Sequence, residues 1–364
     1  MDMVGIAFTG GGTGGHIYPG LALARYIQEL YPCRFFWIGS SRGMDREIVE
    51  KAGFPFFGVP SGKLRRYFSI KNLSDFFRVA AGFFAARKLL KREKPALLFS
   101  KGGFVSVPPC AAAVSLRIPV FTHESDFSPG LATRINARFA ERIFTAYAQT
   151  AEFFPPALRG RIRKTGNPVR ASFRAAAAAR GRAFLGLGEE RILLVLGGSQ
   201  GAREVNELVR AALPLLTRYY TVVHQTGVRE QGASPSGSYR PYPYIAEEMP
   251  HVIAAAELVL GRSGAGTLWE CATLGKPMVL LPLAGAGTRG DQVENARFFE
   301  QAGAALVLMP PVRPETLGAL VGSLAEDGER RNAMAAASVK IGEADGAGQI
   351  ARELVSFLKE RQCV

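Results

Sequence analysis

Val4-Gly5-Ile6-Ala7-Phe8-Thr9-Gly10-Gly11-Gly12-Thr13-Gly14-Gly15-His16 runs from an apolar, β-prone segment into a cluster of glycines, and the residues after it take up helical spacing. Leu23, Tyr26, Ile27 and Leu30 fall at i, i+3, i+4 and i+7 on one stripe, with Pro19 where a first helical turn tolerates it. The spacing predicts a strand over 4–9 and a helix over 21–30, joined by a turn whose bare amides can approach a phosphate or a sugar. The rhythm continues through a strand at 34–38, a helix at 46–52 and strands at 56–59, 96–100 and 119–123. Such alternation is that of βα units around a parallel sheet.

The grammar restarts after Gly166-Asn167-Pro168. An Ala-rich helical stretch leads to the apolar strand 192–196, then to Gly197-Gly198-Ser199-Gln200-Gly201 and a helix with Val205, Leu208, Val209 and Ala212 inward. Strands are expected again at 221–224, 258–260, 278–281 and 305–308, and a closing helix at 350–358. The chain of 364 residues therefore reads as two doubly wound α/β domains. The expected boundaries are 1–165 for the first, 166–346 for the second, and a final segment, 347–364, that returns to the first.

Composition narrows the function. With 48% hydrophobic and 21% charged residues the chain is globular, and no apolar run approaches the roughly 20 residues of a spanning helix. The segment before the first glycine turn has no basic leader and reads as a strand, not a signal peptide. Cys33, Cys110, Cys271 and Cys363 show no paired spacing, so a reducing cytoplasm is the expected home. The net charge of +14 calls for an acidic partner: nucleic acid, an anionic membrane or a phosphorylated substrate. Much of it crowds 63–101, where Asp75 and Glu93 are the only acids.

Three classes of function compete. Gly10, Gly12 and Gly15 fit the dinucleotide pattern, but the second strand ends without the acidic residue that would hold a ribose, so only a phosphorylated cofactor met by Arg42 survives. Nucleic-acid binding would use the basic stretch, yet no helix-turn-helix, zinc or RNP pattern is present, and no nucleic-acid partner is expected. The third reading pairs the two glycine loops as opposite walls of a cleft that grips a diphosphate-linked donor. Gly261-Arg262-Ser263-Gly264-Ala265-Gly266-Thr267-Leu268-Trp269-Glu270 then supplies amides at a helix start, with a carboxylate for ribose hydroxyls, and the amides of Gln292 and Asn295 suit sugar hydroxyls.

Six motifs in order strengthen the third reading: Gly-Gly-Gly-Thr-Gly-Gly-His at 10–16, Gly-Gly-Phe-Val-Ser at 102–106, His-Glu-Ser-Asp at 123–126, Gly-Asn-Pro-Val-Arg at 166–170, Gly-Gly-Ser-Gln-Gly-Ala at 197–202 and Asp-Gln-Val-Glu-Asn-Ala at 291–296. Together they resemble the MurG-type glycosyltransferases over nearly the full chain. The resemblance implies a GT-B architecture, two Rossmann-like domains facing across a cleft. It implies inverting transfer of N-acetylglucosamine from its UDP-linked form to the muramyl 4-hydroxyl of undecaprenyl-linked lipid I, giving lipid II in peptidoglycan synthesis. It further implies that Thr13, Gly14 and Gly15 touch the donor sugar, Arg170 and Ser199 face the diphosphate, and Ile245 borders uracil. Ala265, Gly266, Thr267, Leu268, Trp269 and Glu270 would carry the nucleotide, and Gln292 the sugar. Three positions depart from many family members: Ser125-Asp126 for Gln-Asn, Phe104 for Tyr and Asp291 for Gln.

Inversion requires a base and stabilisation of the leaving diphosphate. His16 and Asp126 are the candidate bases. No Asp-x-Asp pair is present, so no metal and no cofactor is expected; helix ends, Ser199, Arg170 and Arg262 would meet the diphosphate. An anionic membrane surface is expected to dock on Lys63, Leu64, Arg65, Arg66, Phe68, Lys71 and Arg78. Beyond them, Phe76, Val79 and Phe83 form one stripe and Phe77 and Phe84 another, which places the protein at the cytoplasmic face of the inner membrane as a peripheral enzyme.

Overall fold

The structure, a computed structural model, describes residues 3–12, 14–43, 45–62, 71–198, 201–228, 230, 235–285 and 288–362. Thr13, Ser199 and the basic run 63–70 lie outside them, as do the side chains of Lys71 and Phe76. The chain forms two compact units: Met1–Arg170 together with Asp345–Val364, and Ala171–Ala344.

In the first unit seven strands, β1 (Val4–Thr9), β2 (Cys33–Ser40), β3 (Phe56–Val59), β4 (Leu97–Ser100), β5 (Val120–Glu124), β6 (Arg142–Thr145) and β7 (Ile162–Lys164), form a sheet in the order β3-β2-β1-β4-β5-β6-β7. Every described pairing is parallel. Strand alternation explains the two cores. Ile6, Phe8, Phe35, Trp37, Leu97 and Phe99 point to one face, and Ala7, Phe36, Ile38 and Leu98 to the other. The first face is covered by the helix Gly14–Leu30 and by the last helix, Gly346–Gln362, whose Ile350, Ala351, Leu354, Val355 and Leu358 are buried there. The second face is covered partly by the helix Lys71–Glu93, through Ala86, Leu89 and Leu90.

In the second unit β8 (Ile192–Leu196), β9 (Thr221–Gln225), β10 (Tyr239–Tyr242), β11 (Leu258–Gly261), β12 (Met278–Leu280) and β13 (Ala305–Val307) are ordered β10-β9-β8-β11-β12-β13, again parallel. Both sheets therefore reverse direction of growth at one place, between β1 and β4 in the first and between β8 and β11 in the second. In such sheets ligands gather at the carboxyl ends of the strands beside that reversal.

Local differences from the expected elements have physical causes. The first helix begins at Gly14, so Pro19 stands inside it, where it has no N–H for the carbonyl of Gly15. Leu30 is 46% exposed, and Ile17 and Leu21 join the buried stripe instead. The sequence reading lacks β6, β7 and β10. β7 and β10 are short edge strands, the first polar and half-exposed, the second interrupted by Pro241, and edges carry weak apolar alternation.

Behind the β8 corner His224 is buried on β9, its ring nitrogens paired with Tyr239 Oη at 3.1 Å and Asn206 Oδ1 at 3.0 Å. Burial, assisted by the charge of Arg210, pushes its pKa down to about 4. The unfolded chain binds that proton near pH 6.5 and the folded one only near 4, so stability is full above about pH 6.5 and falls as the pH drops between them. Unfolding of this unit, followed by Trp269 fluorescence in a Trp37→Phe background, is expected to lose up to about 3 kcal/mol across that window. An equal loss in His224→Gln would show that another group is responsible.

Candidate functional site

In the first unit three strand ends meet. After β1 the backbone turns through Gly10–Gly12, where Trp37 Nε1 donates to the Gly10 carbonyl at 2.9 Å. After β4 come Lys101, Gly102 and Gly103, and after β5 come Ser125 and Asp126. Lys101 donates its backbone N–H to Thr9 O at 2.8 Å, tying the first two ends together. Gly103 has φ +77, and a Cβ there would lie 2.8 Å from Gly11 O and 3.1 Å from His16 Cδ2. Only a glycine lets the two turns come this close with the His16 ring beside them. Asn136, which sequence reasoning missed, fastens the β4 corner by donating to Ser100 Oγ at 3.1 Å and Ser106 Oγ at 2.8 Å.

His16, in the first turn of its helix, sets Nδ1 3.2 Å from the carbonyl oxygen of Lys101. A carbonyl only accepts, so in the neutral ring Nδ1 carries the proton and Nε2 is the acceptor nitrogen, which is the tautomer a general base needs. Asp126 stands half-buried on the neighbouring corner. That corner is fixed by Glu124, whose carboxylate accepts the N–H groups of Ser125 at 2.9 Å, Asp126 at 3.0 Å and Gly130 at 3.1 Å. The Phe104 ring lies against Gly12, where a Cβ would meet Cε1 at 3.1 Å. The guanidinium of Arg170 lies over the Tyr18 ring at 5.3 Å.

Asp45 is the second residue that sequence reasoning missed. It is 1% exposed, and its carboxylate accepts the N–H of Gly12 at 3.0 and 3.2 Å and of Ser40 at 3.3 Å, so it anchors the glycine turn from beneath. Burial raises its pKa, partly offset by those bonds. A carboxylate directly under the turn disfavours a second anion there. The Gly12 amide is engaged by Asp45, so this amide of the first loop is not open to the diphosphate that both glycine loops are expected to grip. The same engaged amide weighs against the dinucleotide reading, which needs pyrophosphate on this turn. A sequence signal existed in an acidic residue shortly after the second strand, but nothing local showed that it would be buried.

In the second unit the β8 turn is as tight: a Cβ on Gly201, φ +77, would meet Thr226 O at 2.2 Å. Ile245 is buried, with its N–H donated to Gln225 Oε1 at 2.9 Å. Gly264 caps the helix Ala265–Thr273 in an extended conformation without a side-chain bond, so Ala265, Gly266 and Thr267 begin a helix end suited to phosphate. Leu268 and Trp269 turn into the core, and Glu270 follows on the partly exposed side. Gln292 accepts the Leu283 N–H on Oε1 at 3.0 Å, while its backbone carbonyl receives Ser263 Oγ at 2.7 Å. Arg262 donates to the Leu281 and Pro282 carbonyls at 3.1 and 3.2 Å and to Glu204 at 2.6 Å. It braces two strand ends, and meeting a phosphate would require release from Glu204, which is largely exposed.

The helix Lys71–Glu93 separates its two stripes. Phe83 packs against the core, whereas Phe77 and Phe84 are 65% and 68% exposed, and Arg87, Lys88 and Lys91 are exposed beyond them. Among the described residues no helix is long and apolar enough to cross a membrane.

The N-terminal domain of glycosyltransferase family 28 matches residues 6–145, and the C-terminal domain of the same family matches residues 192–350. A protein of Treponema denticola named UDP-N-acetylglucosamine–N-acetylmuramyl-(pentapeptide) pyrophosphoryl-undecaprenol N-acetylglucosamine transferase is 46% identical, over 98% of each chain. A Shouchella clausii protein of the same name is 44% identical over 83% of this chain and 85% of its own. The crystal structure of Acinetobacter baumannii MurG superposes with a TM-score of 0.74 at 24% identity, covering 97% of this chain and 99% of that one, a likeness of fold. Two parallel-sheet units with their turns at the points of reversal, and identity running almost end to end, place the chain in glycosyltransferase family 28, among the MurG transferases.

Proposed function

We infer that the chain transfers N-acetylglucosamine from UDP-N-acetylglucosamine to the muramyl sugar of the undecaprenyl-diphosphate-linked acceptor, lipid I, forming lipid II. The observation that carries this reading is the 46% identity over 98% of the chain to a transferase named for that reaction.

The second unit supplies the donor site in this reading. The first-turn amides of the helix Ala265–Thr273 and the β8 turn with Ser199 hold the diphosphate, Glu270 holds the ribose and Ile245 borders the uracil. The NH2 of Gln292, whose oxygen is occupied by Leu283, reads a sugar hydroxyl. Arg170 adds a positive charge that its position over Tyr18 directs. The first unit supplies the acceptor end. Thr13, Gly14 and Gly15 contact the transferred sugar, and His16 Nε2 takes the proton of the attacking hydroxyl as the UDP leaves with the charge of the broken bond. Asp126 is the second candidate base; His16 is favoured because its tautomer is set by a carbonyl and its ordinary pKa lies near neutrality.

A lipid-linked acceptor requires the enzyme at a bilayer surface. The exposed Phe77 and Phe84 with their neighbouring cations support peripheral docking on an anionic, cytoplasmic leaflet, together with Lys63, Leu64, Arg65, Arg66, Phe68, Lys71 and Arg78 of the basic stretch. Apolar side chains enter the headgroup boundary, and each nearby cation contributes about 1 kcal/mol.

Three outcomes are expected. In a thermal-shift panel UDP-N-acetylglucosamine and UDP should raise the melting temperature well above UMP, with NADPH inert; a flat response to the UDP compounds would sink the donor site. Gly103→Ala should fold but lose about 10²-fold or more in kcat, because moving His16 by a fraction of an ångström misaligns the base. Normal turnover in that variant would contradict the role given to the His16 corner. Phe77→Ala/Phe84→Ala should bind phosphatidylglycerol vesicles about tenfold or more weakly in cosedimentation, with little change in melting temperature; unchanged binding would remove this helix from the docking surface.

A further inference from the structure

Lys101 follows β4 and is only 2% exposed, although it carries an ammonium that ordinarily reaches water. Burial pulls its pKa down to about 8, and the carboxylates of Glu124 and Asp126 act in the opposite direction. Its Nζ donates to Ser125 Oγ, and that hydroxyl donates onward to Asn167 Oδ1 at 2.8 Å. Asn167 is itself buried. The backbone of the same residue reaches the other candidate base, since the Lys101 carbonyl faces His16 Nδ1 at 3.2 Å. A buried cation with two nearby carboxylates is costly to assemble, and nothing in the core packing of β4 calls for one. The arrangement makes sense if its purpose is the corner it holds.

We propose that Lys101 is a positioning residue for the transfer reaction: through Ser125 its side chain fixes the corner that carries Asp126, while its carbonyl orients His16. The first unit's two polar groups for acceptor chemistry are thus held in register by one residue. The ammonium does not touch the reacting atoms. It neutralises the inner side of the corner, so that the Asp126 carboxylate stays where the muramyl sugar is to bind.

This inference rests on the transferase reading, so wild-type transfer from UDP-N-acetylglucosamine to a lipid-linked muramyl pentapeptide is measured first; no turnover would overturn that reading and this one with it. With wild-type turnover in hand, Lys101→Met, which keeps the length of the side chain without its charge, is expected to lower kcat about 10-fold or more. The KM for the donor should stay within about twofold, and the KM for the acceptor should rise. In an Asp126→Asn background the same change should cost less than about threefold, because the two residues act as a unit. Lys101→Met with wild-type kcat, or with an undiminished loss in the Asp126→Asn background, would overturn the proposal while leaving the transferase reading intact. Should Lys101→Met fail to fold, Ser125→Ala carries the test. It is expected to lower kcat by about threefold or more at unchanged donor KM, and wild-type kinetics in Ser125→Ala would be decisive against the proposal.

Discussion

The close approach of two backbone turns, Gly10–Gly12 after β1 and Lys101–Gly103 after β4, fixes how the central strands of the first unit end. They are joined by the Lys101 N–H to Thr9 O bond and are so close that no side chain fits between Gly103 and Gly11. His16 stands beside this junction and Asp126 on the neighbouring corner after β5, so small displacements here would alter the geometry of the proposed proton transfer more than larger ones elsewhere. The sheet contributes rigidity. Strands β1, β4 and β5 are buried on both faces, and their ends are fixed by the aromatic core of Phe8, Trp37, Phe99, Phe121 and Phe144.

The two units repeat one topology and diverge in electrostatics. The glycine turn of the first is anchored on a buried carboxylate, Asp45, and its neighbouring corners hold Lys101 and Glu124. The second has a helix end without a side-chain cap at Gly264, and Arg262, two residues before it, is balanced by Glu204. A turn anchored on a buried carboxyl group in the first unit and a helix end without a side-chain cap in the second are consistent with the different ligands proposed for them, a neutral sugar and a diphosphate. Internal repetition of fold therefore does not mean repetition of function.

Most of the architecture was legible in the sequence, because central parallel strands are apolar throughout and the glycine turns punctuate them. Val4–Thr9, Phe56–Val59 and Ile192–Leu196 coincide with the expected spans, whereas the edge strands β7 and β10, one polar and the other interrupted by Pro241, gave no comparable signal. The separation of the aromatic stripes on Lys71–Glu93 was also legible, since Phe77 and Phe84 lie seven residues apart on one stripe and Phe83 is turned about 100° from Phe84 toward the core, its ring in edge contact with that of Phe84 at 5.3 Å. The supporting groups of the site were not. Asp45, Asn136 and Lys101 act through contacts with residues 33, 36 and 24 positions away, and no local pattern encodes such a contact. Fold was read from periodicity, the proposed site residues from the family resemblance that the ordered motifs carry, and the groups beneath them only from tertiary packing.

The last helix begins with Gly346 pressed against the backbone of Asn167, and its apolar side chains fill the core on which β1, β2 and β4 rest. The second unit, Ala171–Ala344, is thus topologically an insertion within the first. During vectorial synthesis the later-made unit has all of its own strands before the earlier one receives its final piece. The N-terminal sheet therefore waits for the last of its covering helices until the whole of the second unit has been synthesised.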